Sequence, residues 1–148
     1  MREVRTHLRV QDTAAVETAL AAADLAAGED GPLVAILGAD VAPEEVADVL
    51  AAWIAAARDA MVREVDVVTI LADDHLDGDD VGRLSVGHGV IGATRSYGFE
   101  GQRAGLVANV VVGPLDTALD TAAWVLSARV LSGQVLLTGD PHHGRQRP

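Results

Sequence analysis

Leu33-Val34-Ala35-Ile36-Leu37-Gly38 is the stretch on which the fold reading turns. It is too short for a helix and apolar at every position, as strands buried on both faces of a parallel sheet are. The segment after it is the strongest helix signal in the chain. Asp40 precedes Pro43, Glu44 and Glu45 stand in the first turn, and Val46, Val49, Leu50, Trp53, Ile54, Ala57 and Met61 fall on one stripe. Val65 to Leu71 is a second apolar strand, followed by the acidic loop Ala72 to Asp80. Val81 to Ala104 has a helical period but carries Gly82, Gly87, Gly89, Gly92, Gly98 and Gly101. Each costs about 0.8–1 kcal/mol relative to Ala in a helix interior. Close backbone approach of another helix is the usual compensation. Leu106 to Val112 (strand), Thr117 to Arg129 (helix, with Trp124 and Leu126) and Gln134 to Thr138 (strand) complete the series. On the other side of the opening stretch, Val4 to Val10 suits a strand. Asp12 or Thr13 can cap a helix carrying Val16, Leu20 and Leu25, stopped by Gly28-Glu29-Asp30-Gly31-Pro32. Regular βα alternation with short loops predicts a doubly wound α/β fold. One domain is expected over residues 1–140, with a flexible tail over 141–148.

Composition narrows the partners. With 148 residues and 49% hydrophobic content the chain can bury a real core. It has no lysine, its formal net charge is −11 and its pI is about 4.6, which argues against nucleic acid or an anionic membrane surface as partner. The absence of cysteine excludes a disulfide framework and a thiolate metal site and is compatible with a reducing cytoplasm. Met1 to Arg5 lacks the apolar core of a signal peptide, and Arg58 and Asp59 interrupt the longest apolar run before membrane-spanning length. A cytoplasmic protein is expected. Arginine without lysine, with abundant Ala and Gly, suits a high-GC bacterial genome.

Gly92 to Gly113, GATRSYGFEGQRAGLVANVVVG, resembles the stretch of the short-chain dehydrogenase/reductase family that follows its catalytic lysine and ends in "VNVVAPG". Trp124-Val125-Leu126-Ser127 and Ser132 to Leu136 are similar to the family's "FLAS" helix and "TGQVL" strand. Leu33 to Ala39 takes the place of its "LVNNAG" strand, and Asp12 to Val16 resembles its "DVTD..V" segment. The resemblance implies a truncated Rossmann-like parallel sheet of about five strands, with helices mainly on one face because right-handed crossovers in one direction stay on one side. It also implies that a front unit with the TGxxxGxG phosphate loop is missing, so no dinucleotide cofactor is expected. Counted back from Asn109, the family's Tyr and Lys positions fall on Arg83 and Gly87, and the serine position falls near Ile70 to Asp73. The family's tyrosine protonates the carbonyl oxygen while its lysine lowers the tyrosine pKa. Without either, the isolated chain is not expected to transfer hydride.

The same residues offer candidate sites. Asp73, Asp74, His75, Asp77, Asp79, Asp80 and His88 cluster after the second apolar strand and, with Arg83, could form an acid/base site for a cofactor-independent cyclase, isomerase or dehydratase acting on a small acyl or polyketide-like substrate. The plainer reading is a solvated acidic loop, since its spacing matches no Ca²⁺ loop. Arg95 and Tyr97 read as packing residues, Asn109 as a structural contact, and His142 and His143 as part of a mobile end rather than metal ligands. No metal site is expected. A bare sheet face would expose several hundred Å² of apolar surface, and covering about 400 Å² is worth roughly 10 kcal/mol before association costs. The resemblance further implies pairing through the helices at 43–62 and 81–104. Trp53, Ala56, Ala60, Gly89, Gly92 and Tyr97 are the candidate interface residues. The expected role is a non-catalytic subunit, paired with itself or with a full-length reductase of the family; a homodimeric ligand-binding module is a third possibility.

Overall fold

The computed structural model describes residues 1–139; His142, His143 and the expected tail lie outside them. The elements run β1 (Arg2–Arg9), α1 (Thr13–Ala22), β2 (Leu25–Ala27), β3 (Leu33–Leu37), α2 (Val46–Val62), β4 (Val67–Leu71), α3 (Val81–Gly101), β5 (Ala108–Val112), α4 (Leu115–Ala128) and β6 (Val135–Leu137). All six strands are parallel, in the order β2-β1-β3-β4-β5-β6. The α/β class and the parallel Rossmann-like sheet are as expected. The additional strand is β2. Leu25 belongs to it rather than to the helix, because Asp24 turns the chain with a positive φ of 58° immediately after α1.

Every residue of β3, β4 and β5 is buried. Their side chains alternate between two cores. Leu33, Ala35, Leu37, Val67, Leu71, Val110 and Val112 pack with Val49, Trp53 and Ala57 of α2 and Val86, Val90 and Tyr97 of α3. Val34, Ile36, Val68, Ile70 and Val111 pack on the other side with Val16 and Leu20 of α1 and Leu119, Val125 and Leu126 of α4. Helices therefore cover both faces, two on each, which corrects the expectation of one mainly bare face.

The cause is the last crossover. β3-α2-β4 and β4-α3-β5 step in one direction with their helices on one face. β1-α1-β2 steps in the opposite direction with its helix on the opposite face, so these three share one hand. β5-α4-β6 steps with the first two, yet α4 lies beside α1. Its hand is reversed against a preference that holds in about 98% of parallel crossovers. The chain changes side at Gly113, whose φ is 152° and where a Cβ would run into the Thr138 hydroxyl and carbonyl.

β1 carries the apolar surface to its limit. Val4, Leu8 and Val10 face α1 and α4, whereas Arg5, His7 and Arg9 alternate to the α2 side. Arg5 pairs with Asp59 of α2, and Arg9 lies 3.2 Å from Glu45. β2 pairs only with Arg2 to Val4, while β3 pairs on the other side with Arg5 to Arg9.

The glycines of α3 have separate explanations. A Cβ at Gly82 would strike the carbonyl oxygen of Val41, and one at Gly87 that of His75, so the approaching backbones belong to loops rather than to another helix. Gly89 meets the Leu50 side chain of α2, and Gly92 has nothing within 4 Å. Gly87→Ala should therefore destabilise the chain by about 1–3 kcal/mol in urea unfolding, whereas Gly92→Ala should stabilise it by about 0.5–1 kcal/mol. Equal effects at the two positions would contradict this packing.

Candidate functional site

The strand order reverses between β1 and β3, and open α/β sheets bind ligands outside the carboxyl ends of strands at such a switch point. A crevice of about 330 Å³ lies there, walled by Val10, Val16, Ile36, Leu37, Ile70, Pro114 and Leu115 and carrying Asp12 and Asp73. The strand-to-helix turn expected to be missing is thus present, as Val10-Gln11-Asp12-Thr13, but it contains no glycine. The free N–H groups at a helix start commonly hold phosphate. Here Asp12 occupies that end itself: its Oδ1 accepts from the Ala15 N–H at 3.0 Å. A second anion beside that carboxylate, with Asp73 also in the lining and, among the described residues, no basic residue in the walls, is electrostatically disfavoured.

The acidic segment after β4 forms a separate cluster. Asp73–His75 makes one 3₁₀ turn, and Asp80 caps α3 by accepting from the Arg83 N–H at 3.0 Å. Arg83 reaches back to pair with Asp74 and with Asp40 from the β3–α2 loop, and its Nε lies 3.9 Å from Asp80 Oδ2. One guanidinium thus ties three segments together, since a bidentate donor suits converging carboxylates. His75 is fully buried. Its Nδ1 lies 3.3 Å from Asp74 Oδ1, and neither ring nitrogen is aligned for a hydrogen bond. Burial pushes its pKa down, opposed in part by the nearby Ala72 backbone and the Asp80 charge. The ring is a neutral group within the packing and does not open onto the crevice lining.

Of the acid/base candidates, Asp74, His75 and Arg83 come together. Asp73 lies in the crevice wall, Asp77, Asp79 and Asp80 are exposed, and His88 sits on the exposed side of α3. Arg83, the position corresponding to the resembled family's tyrosine, is held by carboxylates. Gly87, corresponding to the lysine, has no room for a side chain. Tyr97 is buried, its hydroxyl donates to the Val65 carbonyl at 2.8 Å, and burial with the Asp66 charge pushes its pKa up to about 12.

Trp53, Ala60 and Tyr97, expected at an interface, lie in this chain's own core. They are packing residues because the α2 and α3 stripes that carry them face the sheet. Trp53 Nε1 donates to Thr69 Oγ1 at 3.0 Å. Ala56 and Gly89 are half-buried, and Gly92 is exposed. Asn109 is structural: Nδ2 donates to the Leu131 carbonyl at 2.9 Å, and Oδ1 accepts from the Gln134 N–H at 3.1 Å. Arg95 borders a hollow at the opposite, amino-terminal edge of the sheet, and Trp124 is 54% exposed. Sequence reasoning missed the crevice because it matched Asp12 to Val16 to the family's "DVTD..V" segment and expected the turn at the switch point to be missing with a front unit; the Asp-Thr helix cap was the visible signal. Among the described residues no three His, Asp or Glu side chains are grouped to hold a metal ion, and no helix is long and apolar enough to cross a membrane.

No protein-family model and no curated protein matches the chain. Solved structures do. Acetoin dehydrogenase from Enterobacter cloacae is similar over 95% of this chain and 75% of that one, with TM-score 0.61 and 16% identity. An oxidoreductase of the short-chain dehydrogenase/reductase family from Burkholderia thailandensis is similar over 88% and 70%, with TM-score 0.63 and 16% identity. A variant of actinorhodin polyketide ketoreductase solved with NADPH is similar over 79% and 69%, with TM-score 0.65 and 15% identity. The fold is that of short-chain dehydrogenases/reductases, shortened.

The depressed pKa of His75 has a measurable consequence. Below about pH 6.5 the unfolded chain binds a proton that folded His75 resists, so stability falls as pH drops through that value. His7 is shifted in the same direction by burial. His75→Leu should therefore flatten, without abolishing, the loss of urea stability between pH 7 and pH 5. An unchanged slope would show that His75 does not titrate in this way.

Proposed function

We propose that this chain is a non-catalytic subunit with the short-chain dehydrogenase/reductase fold that acts in the cytoplasm and pairs with itself or with a full-length active reductase. The partner reductase would carry the nucleotide, the tyrosine and the lysine. The observation that supports this most directly is Asp12, a carboxylate at the helix start where a doubly wound sheet holds pyrophosphate. Arg83 and Gly87 add to it. The first is neutralised by carboxylates, and the second admits no lysine.

Pairing rests on the outer side of α2 and α3. With both sheet faces covered, the reason for association is no longer a bare sheet. It is the small-residue surface of Ala51, Ala52, Ala55 and Gly92, with exposed Ile54 and, at 82% exposure, Val62. Small side chains there let a second helix pair approach closely, and the exposed aliphatic groups gain from burial.

Light scattering after size exclusion tests the assembly, and calorimetric titration of NADPH and NADH tests the lack of a nucleotide site. The expected results are a mass of at least two chains and no detectable heat with either nucleotide. The double variant Ala55→Glu/Gly92→Arg should run as a monomer with unfolding stability within about 0.5 kcal/mol of the parent, as for surface changes generally. A monomer at all concentrations to which no reductase of this fold copurifies, or micromolar NADPH binding, would overturn the reading.

A further inference from the structure

The switch-point crevice combines apolar walls with charge of one sign. Val16 of α1, Ile36 of β3, Ile70 of β4 and Leu115 of α4 contribute to the walls, and among the described residues the only ionisable groups in the lining are Asp12 and Asp73. Its volume, about 330 Å³, lies at the small end of the range of ligand pockets, about 300–1,000 Å³. The whole chain is strongly acidic, so the field around this recess favours cations.

From this complementarity we infer that the crevice binds a small organic cation, an ammonium group carried on a compact apolar body. The apolar body displaces water from the aliphatic walls, and the ammonium lies against the carboxylates, where charge-assisted hydrogen bonds are stronger than neutral ones. A bare metal ion fits poorly. The walls offer it carbon, and no three acidic or histidine side chains converge among the described residues. A carboxylate or phosphate ligand would meet like charge on entry.

This site is additional to the assembly role and shares with it only the charge of the crevice. No bond is made or broken: the occupant is bound, not transformed.

Three probes with one aromatic skeleton separate charge from shape: 2-phenylethylammonium, 2-phenylethanol and 3-phenylpropionate, titrated into the full chain and followed by protein NMR shifts. The ammonium should bind about tenfold more tightly than the alcohol, the carboxylate should bind worst, and shifts should cluster at Val16, Ile36 and Ile70. The ammonium preference should fall towards unity in Asp12→Asn/Asp73→Asn. Asparagine also caps helices well, so this double variant should keep α1 intact, which circular dichroism checks. No ammonium binding at millimolar concentration, equal binding of all three probes, or a preference that survives in the double variant would overturn the inference. If the ammonium and NADPH both fail to bind, only this inference falls and the assembly reading stands.

Discussion

Three adjacent strands with every residue buried need a layer of helices on each side, and among the described residues four helices supply both layers. Two consecutive right-handed crossovers put α2 and α3 on one face. α1 covers only the β1 end of the other face. Had α4 followed the usual hand, Val68, Ile70 and Val111 would have had too little cover. Its placement beside α1 closes the second core around Leu119, Val125 and Leu126. The change of side depends on Gly113, a backbone conformation that L side chains rarely adopt. Both faces of these three strands are thus covered by helices of the same chain.

The carboxyl edge is fixed by a second constraint, the close seating of α3 on loop backbone. Gly82 and Gly87 bring the helix start against the carbonyls of Val41 and His75. That proximity lets Arg83 reach Asp40 and Asp74 at once and seals His75 beneath it. Residue types that suggest acid/base chemistry when read along the chain become, in three dimensions, a staple between a loop, a turn and a helix. Of the acidic segment, the crevice beside this staple is lined by Ala72 and Asp73.

The legible parts of the fold were those set by local pattern. Continuous apolar runs identified β3, β4 and β5, and the stripe through Trp53 identified α2. β2 escaped because a three-residue strand directly after a helix has no period of its own; only Asp24, as a left-handed helix end, separates the two. The side on which α4 packs was not legible either, since the hand of a crossover is a property of the assembled sheet. A stripe marks a buried face without saying what buries it. Trp53 and Tyr97 therefore looked equally suited to an interface and to the core that they occupy. Of the site, the missing tyrosine and lysine were readable directly. The crevice was not, because it joins the ends of four strands distant in sequence.

β2 touches only the first three residues of β1, so among the described residues Arg5 to Arg9 have a neighbouring strand on one side alone. A strand left open in this way is a template on which further copies could stack into fibrils. Arg5, His7 and Arg9 project from that length, and two of them are engaged with acidic partners on or beside α2. An incoming strand would have to lie against Arg5 and Arg9 and disturb their ion pairs, so the molecule is guarded against polymerisation where its sheet is least finished.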